Sequence, residues 1–534
     1  MGTRNFNLDS RTAGYTLAAY GALLMSGCGG RGGPADPQAH TLTAARACEE
    51  ADGKVMGDAR LKASVVAAGG DVPVYCKVQG VIGTSLHFEM RLPERWNGKL
   101  HFWGGGGYDG FIQSISGPDA NSRIPLVALK AGYATVSSDG GHQSELWNAS
   151  FALANPEAAR MFGSLSVPTV TASAQKILAS IYGATPGKSY FEGCSNGGRE
   201  GMVSMQRYPK MFDGIIVRAP AYNWAGLMGH FSRNAKAAMA PGARLSADKL
   251  ALVARTVRHA CDALDGITDG VVANPAACTP LRINLPALRC DGGADLGRDC
   301  LSDAQMAVFQ SWTTEAVFQG GSTFRNTAWN LNGNEDDPLN MAPWLTGNGN
   351  PVTTEQYRYE DTTIKNYLAR DPHADSLGYS YDSNIGALVD MAALNDATEP
   401  DISPFIKNGG KLIMWHGGAD PGINMNSTID YYDRMRKAVG DAGANAATRL
   451  YIAPGVNHCA TGVGADTVDL LAALDQWSSG NSAPATLNAR KLDAGGAEVL
   501  GRPLCEYPQY PRYVGAAGDA AAARLASSYV CTAP

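Results

Sequence analysis

The stretch Gly193-Cys194-Ser195-Asn196-Gly197-Gly198-Arg199 decides the fold prediction for this chain. Its first five residues match Gly-x-Ser-x-Gly, a motif in which the glycines allow a strained turn to present a serine as a nucleophile. The run Ser-Tyr-Phe-Glu at 189–192, with two aromatic residues, predicts a strand before the turn, and the pattern at 199–208 predicts a helix after it. The motif requires this strand–turn–helix context, so Ser195 is the candidate nucleophile.

Other short apolar runs alternate with helical patterns along the chain. Further strands are predicted at 99–103, 133–138, 214–218, 411–415 and 449–453, and further helices at 169–182 and 427–439. Such an alternation predicts a mostly parallel sheet with helices on both faces. Together with the serine motif, it predicts an α/β fold of the α/β-hydrolase type.

The stretch 222–398 departs from this alternation. It is rich in Asn, Asp, Gly and aromatic residues and contains four of the 11 cysteines. We interpret it as a lid inserted between two parts of the core, at the sheet edge where active sites of such folds lie. The predicted organisation is a signal peptide at 1–28, core at 29–221, lid at 222–398 and core again at 399–534.

Chain order selects the partners of the serine. In α/β hydrolases the acid and then the histidine follow the nucleophile. Asp420 lies in the loop after the predicted strand 411–415, and His458 lies in the loop after the strand 449–453. We predict these two residues as the acid and the base. His416 is the alternative base, but its place directly after a strand favours a residue that orders the loop.

The oxyanion of an acyl-transfer intermediate needs two backbone donors. One predicted donor is the N–H of Asn196, the residue after the nucleophile. The other is predicted in the glycine run that follows the early strand 99–103, and Gly106 is our candidate. A glycine run can also bind phosphate, but the Lys-Ser/Thr of a P-loop is missing here.

The charge balance excludes one class of partner. The chain has 534 residues and a formal net charge of −6, from 44 Lys and Arg against 50 Asp and Glu. It contains no basic run and no acidic tail, so nucleic acid is not an expected partner.

The first 28 residues predict export. Arg4 and Arg11 precede an apolar run at 13–25, which is too short for a spanning helix with ordinary flanks. The following residues complete Leu24-Met25-Ser26-Gly27-Cys28, which resembles a bacterial lipobox with Cys28 as the lipidated residue. We predict a periplasmic or cell-surface lipoprotein that meets the membrane only through Cys28. The alternative is a plain signal peptide and a secreted protein.

The cysteine count agrees with an oxidising compartment. Of 11 cysteines, ten remain after Cys28 is assigned to lipid, enough for five disulfides. Proximity along the chain suggests the pairs Cys48–Cys76, Cys261–Cys278, Cys290–Cys300 and Cys505–Cys531, which leaves Cys194 and Cys459. The sequence alone permits many other pairings. A Cys194–Cys459 disulfide would bring Ser195 and His458 together, because each of these residues adjoins one of the two cysteines.

An acidic loop in the lid predicts a metal site. Asp262, Asp265 and Asp269 are spaced by three and four residues. With the backbone carbonyls of Ile267 and Val271, they would form an all-oxygen shell, which suits a hard ion such as Ca²⁺. The spacing is not that of an EF-hand, and we expect a structural role. The alternative is an Asp/Gly-rich turn with solvated charges.

Together, these motifs resemble those of the tannase and feruloyl esterase family. The family has a Cys-Ser-x-Gly-Gly-Arg turn, here 194–199, a His-Gly-x-x-Asp segment, here 416–420, and an Asn-His-Cys segment, here 457–459. It also has an acidic calcium loop that resembles 261–271, and the resemblance covers about 48–531. It implies an α/β-hydrolase fold and the triad Ser195, Asp420 and His458. It also implies a disulfide between Cys194 and Cys459, and calcium ligands Asp262, Asp265, Ile267, Asp269 and Val271.

The resemblance implies a serine carboxylesterase acting on small esters of aromatic acids. We predict hydroxycinnamoyl esters, free or attached to polysaccharide, with gallate esters or mono(2-hydroxyethyl) terephthalate as the alternatives. No organic cofactor is expected. A terephthalate half-ester has a free carboxylate that Arg358, Lys365 or Arg370 could bind, although these cations are equally typical of a solvated surface. A serine peptidase and a catalytically silent surface binding protein on the same scaffold are the rival functions.

Overall fold

Ten strands form one mixed sheet in this computed structural model, which describes residues 40–117, 123–318 and 321–534. In chain order they are β1 (Val55–Met56), β2 (Ala59–Val66), β3 (Tyr75–Ile82), β4 (Leu86–Pro93), β5 (Lys99–Trp103), β6 (Ala134–Ser138), β7 (Lys188–Cys194), β8 (Gly214–Arg218), β9 (Lys411–Gly417) and β10 (Thr448–Ala453). Their order across the sheet is β10-β9-β8-β7-β5-β6-β4-β3-β2-β1. Strands β5 to β10 are parallel to one another.

The other four strands run antiparallel and form one end of the sheet. The prediction of a mostly parallel sheet did not include them. The reason is their exposure: in β2 Ala59 and Leu61 are buried while Arg60 and Lys62 face solvent, the alternation of an antiparallel sheet with one wet face. The parallel strands β6 and β8 are buried at every residue, as strands covered on both faces are.

Helices cover both faces of the sheet, and the α/β class predicted from the sequence is confirmed. The helices are α1 (Ala44–Ala51), α2 (Ile124–Lys130), α3 (Ser150–Ala154), α4 (Pro156–Arg160), α5 (Ser166–Tyr182), α6 (Asn196–Arg207), α7 (Trp224–Met239), α8 (Ala247–Cys261), α9 (Pro280–Ile283), α10 (Asp303–Thr313), α11 (Glu355–Thr363), α12 (Ile385–Asn395), α13 (Ser403–Lys407), α14 (Met425–Val439), α15 (Asp441–Ala447) and α16 (Leu470–Ser478). Helix α6 begins directly after Ser195.

The chain between β8 and β9 contains helices α7 to α13. We use the name lid for residues 222–398, the predicted insertion. Its helix α11 contacts loops that follow the parallel strands: Tyr108 Oη donates to the Tyr359 carbonyl at 2.8 Å, and Thr362 Oγ1 donates to the Trp147 carbonyl at 2.7 Å. The lid therefore lies over the carboxyl ends of these strands.

Four two-stranded pairs complete the described strands. They join His40–Thr41 to Arg95–Trp96, Ala316–Phe318 to Gly321–Asn326, Leu487–Leu492 to Glu498–Leu504, and Tyr510–Tyr513 to Tyr529–Thr532. Among the described residues, no helix has the length and apolar character needed to cross a membrane. The predicted signal segment and Cys28 lie outside the described residues.

Five disulfides connect the ten cysteines that the structure describes. They are Cys48–Cys76, Cys194–Cys459, Cys261–Cys278, Cys290–Cys300 and Cys505–Cys531. These are the pairs suggested by proximity and by the resemblance. Disulfides of this number are typical of exported proteins, because the cytosol keeps thiols reduced.

Candidate active site

Ser195 lies on the turn between β7 and α6, with φ 62° and ψ −119°. Such left-handed backbone strain in a non-glycine residue is characteristic of a nucleophile turn. The neighbouring glycines explain how the turn fits. A Cβ on Gly193 would lie 2.6 Å from the Gly197 carbonyl carbon, and one on Gly198 would lie 2.7 Å from the Arg218 carbonyl oxygen. The predicted strand and helix around Ser195 are both present.

Asp420 and His458 meet above the ends of β9 and β10. The two oxygens of Asp420 lie 2.8 and 3.0 Å from His458 Nδ1. Asp420 Oδ1 also accepts hydrogen bonds from the N–H groups of Gly422 and Ile423, at 2.7 and 2.9 Å. The Asp420 side chain is fully buried, so the imidazole is held in one orientation with Nε2 free to act as a base.

The ionisation of Asp420 suits this role. Burial alone would raise its pKa, but the charge of His458 and hydrogen bonds from His416 and His458 hold the pKa below the usual range of a carboxyl group. Asp420 is therefore ionised at neutral pH and stabilises the imidazolium that forms when His458 takes up a proton.

His416 orders the loop, as interpreted from the sequence. The side chain is fully buried, with Nδ1 2.8 Å from Thr428 Oγ1 and Nε2 2.8 Å from the Ile423 carbonyl. Because both ring nitrogens are engaged, His416 is not available to Ser195.

The Cys194–Cys459 disulfide joins the turn of Ser195 to the loop of His458. The two Cα atoms are 6.0 Å apart, although 265 residues separate them in sequence. Cys459 also has a left-handed backbone, with φ 63°. Among the described residues, Ser195 Oγ has no hydrogen-bond partner, and catalytic hydrogen bonds often shorten only when substrate is bound.

The loop at 104–110 faces the Ser195 turn and supplies the predicted oxyanion glycine. Gly104 donates its N–H to the Glu192 carbonyl at 2.9 Å, and Gly105 donates to Glu200 Oε2 at 3.0 Å. Within this described loop, the N–H of Gly106 remains without a protein acceptor, as does the N–H of Asn196 beside Ser195. Among the described residues, both predicted oxyanion donors therefore lack an acceptor.

A family model for tannase and feruloyl esterase matches residues 71–532 of the chain. The chain belongs to the tannase and feruloyl esterase family. It is 30% identical to mono(2-hydroxyethyl) terephthalate hydrolase of Piscinibacter sakaiensis, over 88% of this chain and 87% of that protein. It is also 30% identical to a probable feruloyl esterase of Arthroderma benhamiae, over 80% and 79% of the two chains. This tannase/feruloyl esterase family member is a carboxylic ester hydrolase, as predicted.

The fold of this family member agrees with a solved structure. A crystal structure of an esterase from Aspergillus oryzae superposes with a TM-score of 0.80 and 23% identity, covering 92% of this chain and all of that one. The α/β-hydrolase prediction is confirmed at the level of the fold.

The aromatic lid residue Trp344 of this esterase contacts His458, and no short sequence motif pointed to it. The Trp344 ring lies edge-on to His458, with ring centroids 5.0 Å apart.

Arg358 stacks on Trp147 at 4.3 Å and approaches Glu355, 3.8 Å away. Burial raises the pKa of Glu355, while the charges of Arg358 and His458 lower it. Lys365, another cation considered above, pairs with Asp361 at 2.8 Å.

Two asparagines of the lid fasten the loop of His458. Asn340 Nδ2 donates to the Asn457 side chain at 2.8 Å and to the Ala419 carbonyl at 2.7 Å. Asn334 Nδ2 donates to the Gly455 carbonyl at 3.0 Å. No sequence pattern identified either residue, because an asparagine in an Asn-rich segment gives no signal of what it contacts.

The acidic loop of the lid forms hydrogen-bonded turns. Asp262 accepts from the N–H groups of Asp269 and Gly270, and Asp265 Oδ1 accepts from Ile267 at 3.1 Å. Among the described residues, no three His, Cys, Asp or Glu side chains are grouped around a common metal position. Burial raises the pKa of Asp265 to about 7, and the charges of Asp269 and Asp262 add to this effect. Calcium binding stays a prediction.

Proposed function

We propose that this enzyme hydrolyses esters of hydroxycinnamic-type aromatic acids through an acyl-enzyme at Ser195. The observation that carries the proposal is the fixed Asp420–His458 pair, linked by the Cys194–Cys459 disulfide to the strained Ser195 turn. The edge of Trp344 beside His458 supports an aromatic substrate, since aromatic rings prefer edge-to-face and offset contacts with one another.

The mechanism follows from the positions of these groups. His458 Nε2 takes the hydroxyl proton of Ser195 as Oγ attacks the ester carbonyl carbon. The N–H groups of Asn196 and Gly106 hold the oxyanion that forms. The intermediate expels the alcohol, which receives its proton from His458. Water then attacks the acyl-enzyme, His458 takes up one of its protons, and Ser195 regains a proton when the aromatic acid leaves.

The charge around Arg358 favours a neutral acyl group over a half-ester. Its guanidinium is partly neutralised by Glu355, so a substrate carboxylate would compete with an existing partner. Terephthalate half-esters are therefore the second candidate, which the 30% identity to the Piscinibacter sakaiensis enzyme supports. Gallate esters remain the third.

A panel of methyl ferulate, methyl gallate, mono(2-hydroxyethyl) terephthalate and a peptide substrate tests the proposal. We expect the highest kcat/KM with methyl ferulate and none with the peptide. Glu355→Gln should raise the half-ester to ferulate ratio of kcat/KM by a few-fold, because a partly exposed ion pair is worth about 1 kcal/mol or less. Glu157→Gln, which breaks an exposed pair with Arg160 on α4, is the matched control. A faster reaction with the peptide than with every ester would overturn the proposal.

We also propose that the acidic lid loop binds Ca²⁺ in a structural role. Three carboxylates, with Arg502 as the cation bonded to Asp269, leave negative charge that a hard cation would neutralise. Asp262, Asp265 and Asp269 would supply side-chain oxygens, and Ile267 and Val271 would supply carbonyls.

Chelation should lower the thermal stability of the enzyme. At a free calcium concentration 100-fold above Kd, binding stabilises the folded state by about 2.7 kcal/mol, so EDTA should lower Tm and Ca²⁺ should restore it. Asp265→Asn should lose this response, while Asp299→Asn, at an exposed acid of the lid, should keep it. Identical melting curves with EDTA and Ca²⁺, and no metal in elemental analysis, would show that the loop is a turn alone.

We propose that the exported enzyme is anchored by lipid at Cys28. The lipobox-like ending of the signal segment supports this, and the five disulfides support an oxidising compartment. Mass spectrometry of the mature N-terminus distinguishes a diacylated Cys28 from a plain cleavage.

A further inference from the structure

Two buried carboxyl groups, Asp109 and Glu200, lie beneath the loop at 104–107. Asp109 is fully buried and Glu200 is 4% exposed. Both touch Gly105, whose N–H donates to Glu200 Oε2 at 3.0 Å and on which a Cβ would lie 2.3 Å from Asp109 Oδ1. A side-chain hydrogen bond between the two carboxyl groups raises the pKa of Asp109 and lowers that of Glu200. Two ionised carboxylates have no hydrogen to donate, so a hydrogen bond between them requires one proton on the pair.

Each carboxyl group of the pair has one oxygen without a hydrogen-bond partner. Asp109 Oδ2 and Glu200 Oε1 are both buried without a hydrogen-bond partner among the described residues. Buried polar atoms in folded proteins nearly always have a partner. A proton on the pair gives one of the two carboxyl groups a hydrogen to donate.

Glu200 and Asp109 support the oxyanion loop from below. The N–H of Gly105 donates to Glu200 Oε2 at 3.0 Å. A Cβ on Gly104 would lie 2.8 Å from the same oxygen, and one on Gly105 would collide with Asp109. The backbone of the loop therefore rests directly on the two carboxyl groups, and its distance from Ser195 depends on them.

Asp109 also holds the residue that supplies the second oxyanion donor. Asn196 Nδ2 donates to Asp109 Oδ1 at 2.8 Å, and Arg199 Nε donates to Asn196 Oδ1 at 2.7 Å. The loop of Gly106 and the side chain of Asn196 thus share one support. A displacement of Asp109 would move both sides of the oxyanion hole.

The charges around the pair balance when it carries one proton. Arg199 is fully buried, and its guanidinium also donates to the carbonyls of Phe162 and Gly163, each at 2.9 Å, and to that of Asn395. One carboxylate matches this one cation. Tyr359, Tyr367 and Asp396 are further titratable groups near the cluster. Burial raises the pKa of each tyrosine, so both are neutral. Burial also raises the pKa of Asp396 to about 7, although the charges of Arg199 and Arg207 lower it. Burial and repulsion from Glu200 also raise the pKa of Asp109 well above its usual range.

We propose that Asp109 and Glu200 share one proton and act as positioning residues for the oxyanion hole. The singly protonated pair holds the loop at 104–107 and the side chain of Asn196, so that both backbone donors face the Ser195 adduct. This inference rests on the proposed ester hydrolysis. Loss of the shared proton at high pH leaves two charges in contact and pushes the loop and Asn196 apart. The oxyanion contacts form in the transition state, so kcat falls while KM changes little.

Amide variants test the shared proton. Asp109→Asn and Glu200→Gln each replace the proton with an amide N–H and leave one carboxylate for Arg199. We expect kcat at pH 7 within about threefold of wild type and loss of the alkaline fall in kcat. Asp109→Ala, which removes a support, should lower kcat by about 10²-fold, the scale of one lost oxyanion donor, with KM changed far less. The double amide variant leaves Arg199 without a counter-charge. Its kcat should fall by more than the product of the decreases in the two single variants.

Unfolding of the wild type in urea at several pH values gives a second readout that needs no substrate. The folded pKa is raised, so the stabilisation is complete below the unfolded pKa of about 4 and is lost as pH rises towards the folded pKa. One retained proton changes the unfolding equilibrium constant tenfold per pH unit, and each single amide variant should lose this contribution. Glu360→Gln is the control: burial raises the pKa of Glu360 to about 8, so this variant should change the stability profile but leave the alkaline fall in kcat.

Two results would overturn the inference. One is an alkaline fall in kcat, and a pH slope of stability, that remain in both single amide variants. The other is an Asp109→Ala variant in which KM rises as much as kcat falls. If the wild type hydrolyses no ester, the proposed function fails, while the unfolding experiment still tests the shared proton.

Discussion

Replacing Ser195 with alanine should lower kcat on any ester substrate by about 10⁶-fold, the loss seen when the nucleophile of a serine triad is removed. The folded state should be unaffected. The Ser195 side chain makes no capping hydrogen bond to α6, and alanine tolerates the same backbone angles no worse than serine does. Steady-state rates and a melting curve for the purified variant check both parts of this expectation.

Covalent labelling separates an enzyme from a silent binding protein. A fluorophosphonate probe should add one label to the wild type, mapped to Ser195 by mass spectrometry, and none to Ser195→Ala. Ser204→Ala, which removes another serine of α6, is the control and should keep both the label and the activity. Undiminished activity of Ser195→Ala would refute the assignment of the nucleophile. A folded wild type that does not react with the probe would favour the binding-protein rival.

Removing the Cys194–Cys459 disulfide should reduce stability and activity together. In the chain-entropy model, closing a loop of this length stabilises the folded state by up to about 5 kcal/mol. The disulfide also joins Cys459, which has a left-handed backbone, to the residue before Ser195, which has one too. A protein without this disulfide should therefore lose the alignment of nucleophile and base. The double variant Cys194→Ala/Cys459→Ala should therefore show a lower Tm and a lower kcat per folded molecule.

A second disulfide provides the matched comparison. Cys48–Cys76 closes a loop of 28 residues between α1 and β3, at the antiparallel end of the sheet. Its removal should cost about 3.5 kcal/mol in the same model and leave kcat per folded molecule unchanged. If the Cys194–Cys459 variant also kept its kcat per folded molecule, the disulfide would stabilise the fold without aligning the triad.

The sequence predicted the triad because local patterns and chain order restrict it strongly. Ser195 requires glycines at fixed offsets, and the loops of Asp420 and His458 follow strands that consist of buried residues alone or nearly so. Each signal lies within a few residues of the group that it identifies. The strands β5 and β8 accordingly have the predicted bounds, and the other predicted strands differ by one to three residues at their ends.

Contacts between residues that are far apart in sequence could not be predicted from local sequence patterns in the same way. The support of Gly105 by Glu200 joins residues 95 apart, and the contact of Tyr108 with Tyr359 joins residues 251 apart. In the sequence, Glu200 looks like an ordinary residue of a solvent-exposed helix face. Its burial depends on the loop at 104–107, which is distant in sequence. Likewise, the alternation in β2 fits a surface strand equally well until its antiparallel neighbours are known.

The hydrogen bond from Tyr108 to the Tyr359 carbonyl has a kinetic consequence. Some lipases open a movable lid at an oil–water interface. Their reaction rate rises sharply once the substrate forms droplets. In this enzyme the lid is hydrogen-bonded to Tyr108, the residue next to Asp109. Moving the lid away would therefore displace the groups that bind the oxyanion. We therefore expect substrate to enter without movement of this part of the lid. The rate should follow a simple hyperbola in the concentration of dissolved ester, with no jump at the solubility limit.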